Sequence, residues 1–193
     1  CIDALAFTGH KGLLGPQGVG GFILQPELVD QVTPLVAGGT GSISHEERMP
    51  SFMPDRFEAG TMNLPGIMGL HAALCWLKRE SIEAVRAHEF SLTEHFLRGA
   101  FEIPRLHVVG RHDTLARVGV VSVTADGLDP ALMADALEQE CGIMVRVGLH
   151  CAPNAHKTLG TFPAGTVRFS FGYRNTLQQV DTALTALRDL CGR

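Results

Sequence analysis

Lys11 is the first residue whose position invites chemistry. It closes the run Thr8-Gly9-His10-Lys11, behind a short apolar segment and ahead of a glycine-rich turn. A lysine at the end of a buried strand is costly unless it is neutralised, paired or bonded. Covalent capture of an aldehyde carbonyl would remove that cost, and desolvation would make the amine a better nucleophile. Thr8 and His10 are donors beside it that suit a phosphate. On spacing alone, a surface lysine in a glycine-rich loop is the stronger reading. Cys151 is the second such residue, in Val145-Arg146-Val147-Gly148-Leu149-His150-Cys151-Ala152. Arg146 and His150 would favour its thiolate, although a cysteine at a strand end is usually buried and inert.

The other four cysteines (Cys1, Cys75, Cys141, Cys191) read as structural, with Cys75 in the core of an apolar helix pattern. The odd count and the absence of a C-x-x-C pair argue against a disulfide framework and a structural zinc site, and for a reducing cytoplasm. Nine histidines include no H-E-x-x-H and no pair at i, i+4, so no metal site is expected. Acids and bases are mixed along the 193 residues, with net charge -4. No basic run points to nucleic acid, and no apolar stretch of about 18 residues points to a membrane. The start at Cys1 lacks the features of a signal peptide and reads as a cut through a folded domain.

The elements that must position these residues follow from pattern and punctuation. Ile2–Phe7 reads as a buried strand and Val19–Leu24 as a second, closed by Pro26. From Pro34 to Asn63 there is little periodicity, as in a functional loop or one packed on a partner. Pro65 opens a helix to about Arg79 with a broad apolar face: Leu64, Ile67, Met68, Leu70, Leu74 and Leu77. Ser81 caps a helix from Ile82 to about Gly99. Arg105–Val109 and Arg117–Thr124 are strands. Asp129-Pro130 starts a helix that Gly142 ends. Ile143–Val147 is a strand, Pro153–Leu159 a short helix, Thr166–Phe171 a strand, and Thr176 caps the last helix. From residue 101 the order β-β-α-β-(α)-β-α predicts helices on one face of a small, mostly antiparallel sheet.

A strand followed by Thr8-Gly9-His10-Lys11-Gly12, with Gly15-Pro16 and Gly18 beyond, resembles the lysine segment of the class V aminotransferases. That family includes the cysteine desulfurases and selenocysteine lyases. The resemblance implies pyridoxal 5'-phosphate (PLP) as cofactor, held by Lys11, with Thr8 and His10 on its phosphate. Arg56-Phe57-Glu58-Ala59-Gly60-Thr61-Met62-Asn63 is similar to the segment whose threonine reaches the phosphate in the neighbouring subunit, which makes Thr61 the candidate and implies a homodimer with shared active sites. The Arg146–Ala152 segment resembles that of desulfurases whose cysteine accepts sulfur. This assigns catalysis to Cys151 and places His150 at the substrate. Gly165-Thr166-Val167-Arg168-Phe169-Ser170 resembles the strand whose arginine binds the substrate carboxylate, here Arg168. The glycine-rich loop Gly38–Ser42 and the run His156-Lys157-Thr158 most resemble a subgroup described only as cysteine desulfurase family.

The fold implied is α/β: PLP-dependent transferase fold type I, with the end of a large mixed-sheet domain at 1–80 and a small α+β C-terminal domain at 81–193. The N-terminal half of the site would be missing, so the isolated chain is expected to be inactive. The implied reaction converts cysteine into alanine and an enzyme persulfide, which a sulfur-acceptor protein would discharge. Selenocysteine lyase and class V aminotransferase are the alternative activities. An inactive dimerising module, or a PLP enzyme outside sulfur chemistry, remains the reading from another class.

Overall fold

The computed structural model describes residues 2–43 and 45–193. Cys1, one of the predicted structural cysteines, lies outside them. The chain divides into two compact units, Cys1–Ser81 and Ile82–Arg193. Among the described residues no helix is long and apolar enough to cross a membrane.

In the first unit, β1 (Ala4–Thr8) and β2 (Gly20–Leu24) form an antiparallel ribbon in which Ala4 faces Leu24 and Thr8 faces Gly20. A Cβ on Gly20 would sit 2.6 Å from the Phe7 carbonyl oxygen, so glycine lets the strands close. The predicted burial of the first strand is not met. Ile2 and Leu5 are exposed, as is Ile23 opposite Leu5. A two-stranded ribbon has two faces and, in this unit, little to cover them. Pro26 does end β2, but it also opens a one-turn helix, α1 (Pro26–Val29), where no helix was expected. Among the described residues of the long segment that follows, the one regular element is a 3₁₀ turn at Asp55–Phe57.

Helix α2 (Leu64–Glu80) starts as its punctuation predicts. Asn63 Oδ1 accepts from the Gly66 amide, Pro65 occupies the first turn, and Lys78 and Arg79 lie in the last. Such a cap is worth about 1 kcal/mol. Its apolar face is only partly used: Leu70 and Leu77 are buried, whereas Leu64, Ile67, Met68 and Leu74 are exposed. Cys75, expected in the core, is exposed as well, with its Sγ 3.5 Å from His71 Nε2. Periodicity marks the side of a helix that could be buried, not what covers it.

The second unit matches the predicted order. Helix α3 (Ile82–Phe101) leads to β3 (Leu106–Val109) and β4 (Val120–Ala125), then α4 (Pro130–Cys141), β5 (Arg146–Gly148), α5 (Pro153–Thr158), β6 (Thr166–Ser170) and α6 (Leu177–Gly192). The strands form a sheet in the order β3-β4-β6-β5, antiparallel throughout. Strand β4 alternates without a break, burying Val121, Val123 and Ala125. These join Val167 and Phe169 of β6 in one core with Leu92 and Phe96 of α3, Met133 and Leu137 of α4, and Leu184 and Leu187 of α6. The alternate positions Ser122 and Arg168 are cross-strand partners on the opposite face.

Cap chemistry sets the ends of the helices. Asp129 accepts from the amides of Ala131 and Leu132 at the start of α4, and Thr176 forms a reciprocal capping box with Gln179 at the start of α6. The fifth strand begins later than expected, at Arg146 rather than Ile143. The reason is the closure of α4: Gly142 takes a left-handed φ of 65°, and the Gly142 and Ile143 amides donate back to Glu138 and Leu137. Ile143 is thereby spent on ending the helix.

Candidate functional site

The residues singled out from sequence fall into one cluster in each unit. In the first unit, Thr8 is the last residue of β1 and His10 and Lys11 lie in the turn beyond it. Thr8 Oγ1 is 2.9 Å from His10 Nδ1. The turn is closed by main-chain bonds: the Gly9 amide donates to Val19 O, Gly15 to Gly9 O, and Leu14 to Lys11 O. A Cβ on Gly15 would lie 2.9 Å from both Gly9 O and Leu70 Cδ1, so the loop folds this closely only with glycine there. Thr8, His10 and Lys11 are exposed. The buried setting that motivated a chemical role for Lys11 is therefore absent, and its local case rests on a hydroxyl, an imidazole and an amine in one turn.

Thr61 is exposed two residues before Asn63. The sequence reading passed over Asn63 itself. Besides capping α2, its Nδ2 donates to Gly18 O at 3.1 Å, which ties the threonine segment to the loop that follows Lys11. A helix-capping asparagine is legible in sequence; its second bond, spanning 45 residues, is not.

In the second unit, Cys151 sits at the tip of the turn between β5 and α5. The turn uses three positive φ angles: Gly148 at 106°, His150 at 50° and Cys151 at 62°. For non-glycine residues this conformation costs about 1–2 kcal/mol each, so the surroundings must hold it. The Ala152 amide donates to Leu149 O at 2.8 Å, and Pro153 then starts α5. The Cys151 thiol is exposed, and Arg146 Nη2 lies 3.7 Å from its Sγ. That guanidinium is the cationic donor in reach of the sulfur. Cys75 and Cys141 are also exposed, contrary to a purely structural assignment, and among the described cysteines only Cys191 is buried. Exposure does not distinguish Cys151 from them; a guanidinium within 3.7 Å of its sulfur does, whereas Arg193 acts on Cys141 only through its charge.

Arg146 and Arg168 face each other directly across β5 and β6, with Ser122 on the far side of Arg168. Like charges opposed in this way disfavour the sheet unless an anion joins them. Arg168 Nε is buried and has no hydrogen-bond partner among the described residues, and the same holds for His150 Nδ1. A buried donor left unpaired costs about 1–3 kcal/mol. An anion such as a carboxylate would satisfy the guanidinium. His150 Nε2 is 3.1 Å from Thr166 Oγ1. Burial holds the imidazole below its usual range, reinforced by Arg168, His156 and Arg146. A neutral ring can accept a proton. His150, Cys151, Arg146 and Arg168 thus share one patch of one sheet edge. Among the described residues no group of three or more side chains is arranged to hold a metal ion.

Sequence reasoning missed Thr166, which is fully buried. No local pattern marks a threonine that will meet a histidine 16 residues earlier.

A family model described as aminotransferase class V matches residues 1–183. A probable cysteine desulfurase of Methanothermobacter thermautotrophicus is 32% identical over 193 residues, covering 98% of this chain and 48% of that protein. A probable cysteine desulfurase of Pyrococcus abyssi is 36% identical over 191 residues, covering 97% and 46% respectively. The apo structure of a cysteine desulfurase from Thermococcus onnurineus superposes with a TM-score of 0.88 at 34% identity, over 98% of this chain and 47% of that one. The expected fold class is borne out by that likeness. The chain spans about half the length of the relatives it matches.

Proposed function

Because this chain belongs to the class V aminotransferase family, we propose that it supplies part of a PLP-dependent cysteine desulfurase, which takes sulfur from L-cysteine and leaves alanine and a persulfide on the protein. The observation that carries this reading is the Cys151 thiol, exposed on a left-handed tip with Arg146 Nη2 3.7 Å from its sulfur. The relatives' names point the same way. A transamination would leave Cys151 without a task.

The residues present fit the cofactor. Thr8 and His10 are neighbouring donors of the kind a phosphate takes, and Lys11 is the amine beside them. When bound, PLP supplies an electron sink at the substrate's α-carbon. The chain's own residues supply the rest. Arg168, with an unpaired buried Nε, takes the substrate carboxylate. Lys11 Nζ removes the α-proton. The Cys151 thiolate attacks the substrate sulfur, so that an S–S bond forms as the substrate C–S bond breaks. The electron pair of that C–S bond stays with the carbon fragment, which takes up a proton and leaves as alanine. The persulfide sulfur passes to an acceptor protein.

On this reading residues 1–80 are the C-terminal part of a large cofactor domain and 81–193 a small domain. The enzyme is a homodimer in which Thr61 reaches the phosphate of the other subunit. A reducing cytoplasm suits a carrier that must stay a free thiol. Borohydride reduction of the intact, cofactor-loaded protein tests the lysine. Covalent cofactor is expected on the Lys11 peptide, and Lys11→Ala should abolish both the label and turnover. Label on Lys157 instead would overturn the assignment.

A further inference from the structure

His156 has no task in the chemistry above, yet among the described residues it is the one buried histidine, at 6% exposure. The buried polar side chains of the described residues are Thr93, His156 and Thr166, so two of the three adjoin His150. A buried imidazole needs partners. His156 Nδ1 lies 2.7 Å from Thr161 Oγ1. Its main chain is held as well: its amide donates to Ala152 O, and its carbonyl accepts from the Thr161 amide. So fixed, its ring packs against the His150 ring, with centroids 5.6 Å apart and planes tilted by 48°. Thr166 braces His150 at Nε2. His150 and Cys151 are consecutive left-handed residues, a conformation that persists only where the surroundings over-determine it.

We propose that His156 is a positioning residue for Cys151: with Thr161 and Thr166 it clamps the His150 ring, and so maintains the left-handed turn that presents the thiol to Arg146. This deepens the desulfurase reading by naming what holds its sulfur carrier. Loss of the clamp lets the turn relax, separates Sγ from the guanidinium, and slows attack by the thiol on an electrophile.

The test is iodoacetamide labelling of the intact protein at neutral pH, followed peptide by peptide. His156→Leu fills much of the space without a polar atom, whereas His156→Asn keeps one near the position of Nδ1. Cys151 should label about fivefold more slowly in the Leu variant, a factor that a loss of about 1 kcal/mol produces. The Asn variant should stay near the wild-type rate, and Cys75 and Cys141 should label unchanged in both. Equal Cys151 rates in the Leu and Asn variants, or an unchanged rate in the Leu variant, would show that His156 only fills space and would overturn the proposal. Should His156→Leu fail to fold, Thr161→Val, which replaces only the hydroxyl by a methyl, must show the same slowing. None of these readouts needs turnover, so a failure to load sulfur on Cys151 would strike the desulfurase reading and leave this one standing.

Discussion

Arg168 carries two burdens at once: it opposes Arg146 across the sheet, and it helps hold the His150 imidazole below its usual range. Burial is the larger cause of that depression, so removing Arg168 should restore it only in part. In Arg168→Ala the His150 ring should titrate closer to an ordinary imidazole, as read from its ring-proton resonances in an NMR titration. An unmoved midpoint would contradict the electrostatic account. A depressed histidine binds fewer protons folded than unfolded. Its contribution to stability is therefore complete above the ordinary imidazole value and is lost as pH falls from there through the lowered one. Arg168→Ala should narrow that window. At this scale the sequence was informative where chemistry is local. Lys11 with Thr8 and His10, and Cys151 with Arg146, are each one short segment. Thr166 and His156 were not legible as neighbours of His150, because a bond or ring contact across a loop leaves no trace in spacing.

The elements that carry the second cluster depend on one close approach. Gly165 has a φ of 81°, and a Cβ there would lie 2.3 Å from the carbonyl carbon and oxygen of Gly148. Two main chains therefore meet at the head of β6, one residue before Thr166 and two before His150. Gly165→Ala should cost at least about 2 kcal/mol from the backbone conformation and the clash together, read as a lower denaturation midpoint. It should also slow Cys151 alkylation by displacing the tip. A midpoint equal to the wild type would mean that the two chains are not held this closely. The patterns for α4 and α6 were readable because capping residues declare themselves locally; β4 was placed as a strand, but its sequence alternates imperfectly and it starts at Val120 rather than Arg117. The start of β5 was misplaced because apolar Ile143 looks like strand, and only the geometry of the Gly142 closure assigns it to the end of α4. Helix α1 was missed because Pro26 serves equally as a strand stop and a first helical residue.

For the whole molecule, the division at Ser81 follows the junction of α2 and α3, where Ser81 takes a φ of 70° between two long helices. The second unit carries the continuous core. In the first unit Ile2, Leu5, Leu64 and Met68 are exposed, although the pattern marked them as interior. A one-dimensional pattern states which side of an element is apolar; burial depends on what lies against it. The proposed reaction draws on Lys11 from the first unit and on Arg168 and Cys151 from the second, so it is a claim about the intact protein. The most direct measurement is mass spectrometry of that protein after brief exposure to L-cysteine without reductant. The account predicts a mass gain of one sulfur on the Cys151 peptide, lost in Cys151→Ser while cofactor binding is kept. Sulfur on Cys141 or Cys191 instead, or normal cysteine turnover by Cys151→Ser, would contradict it.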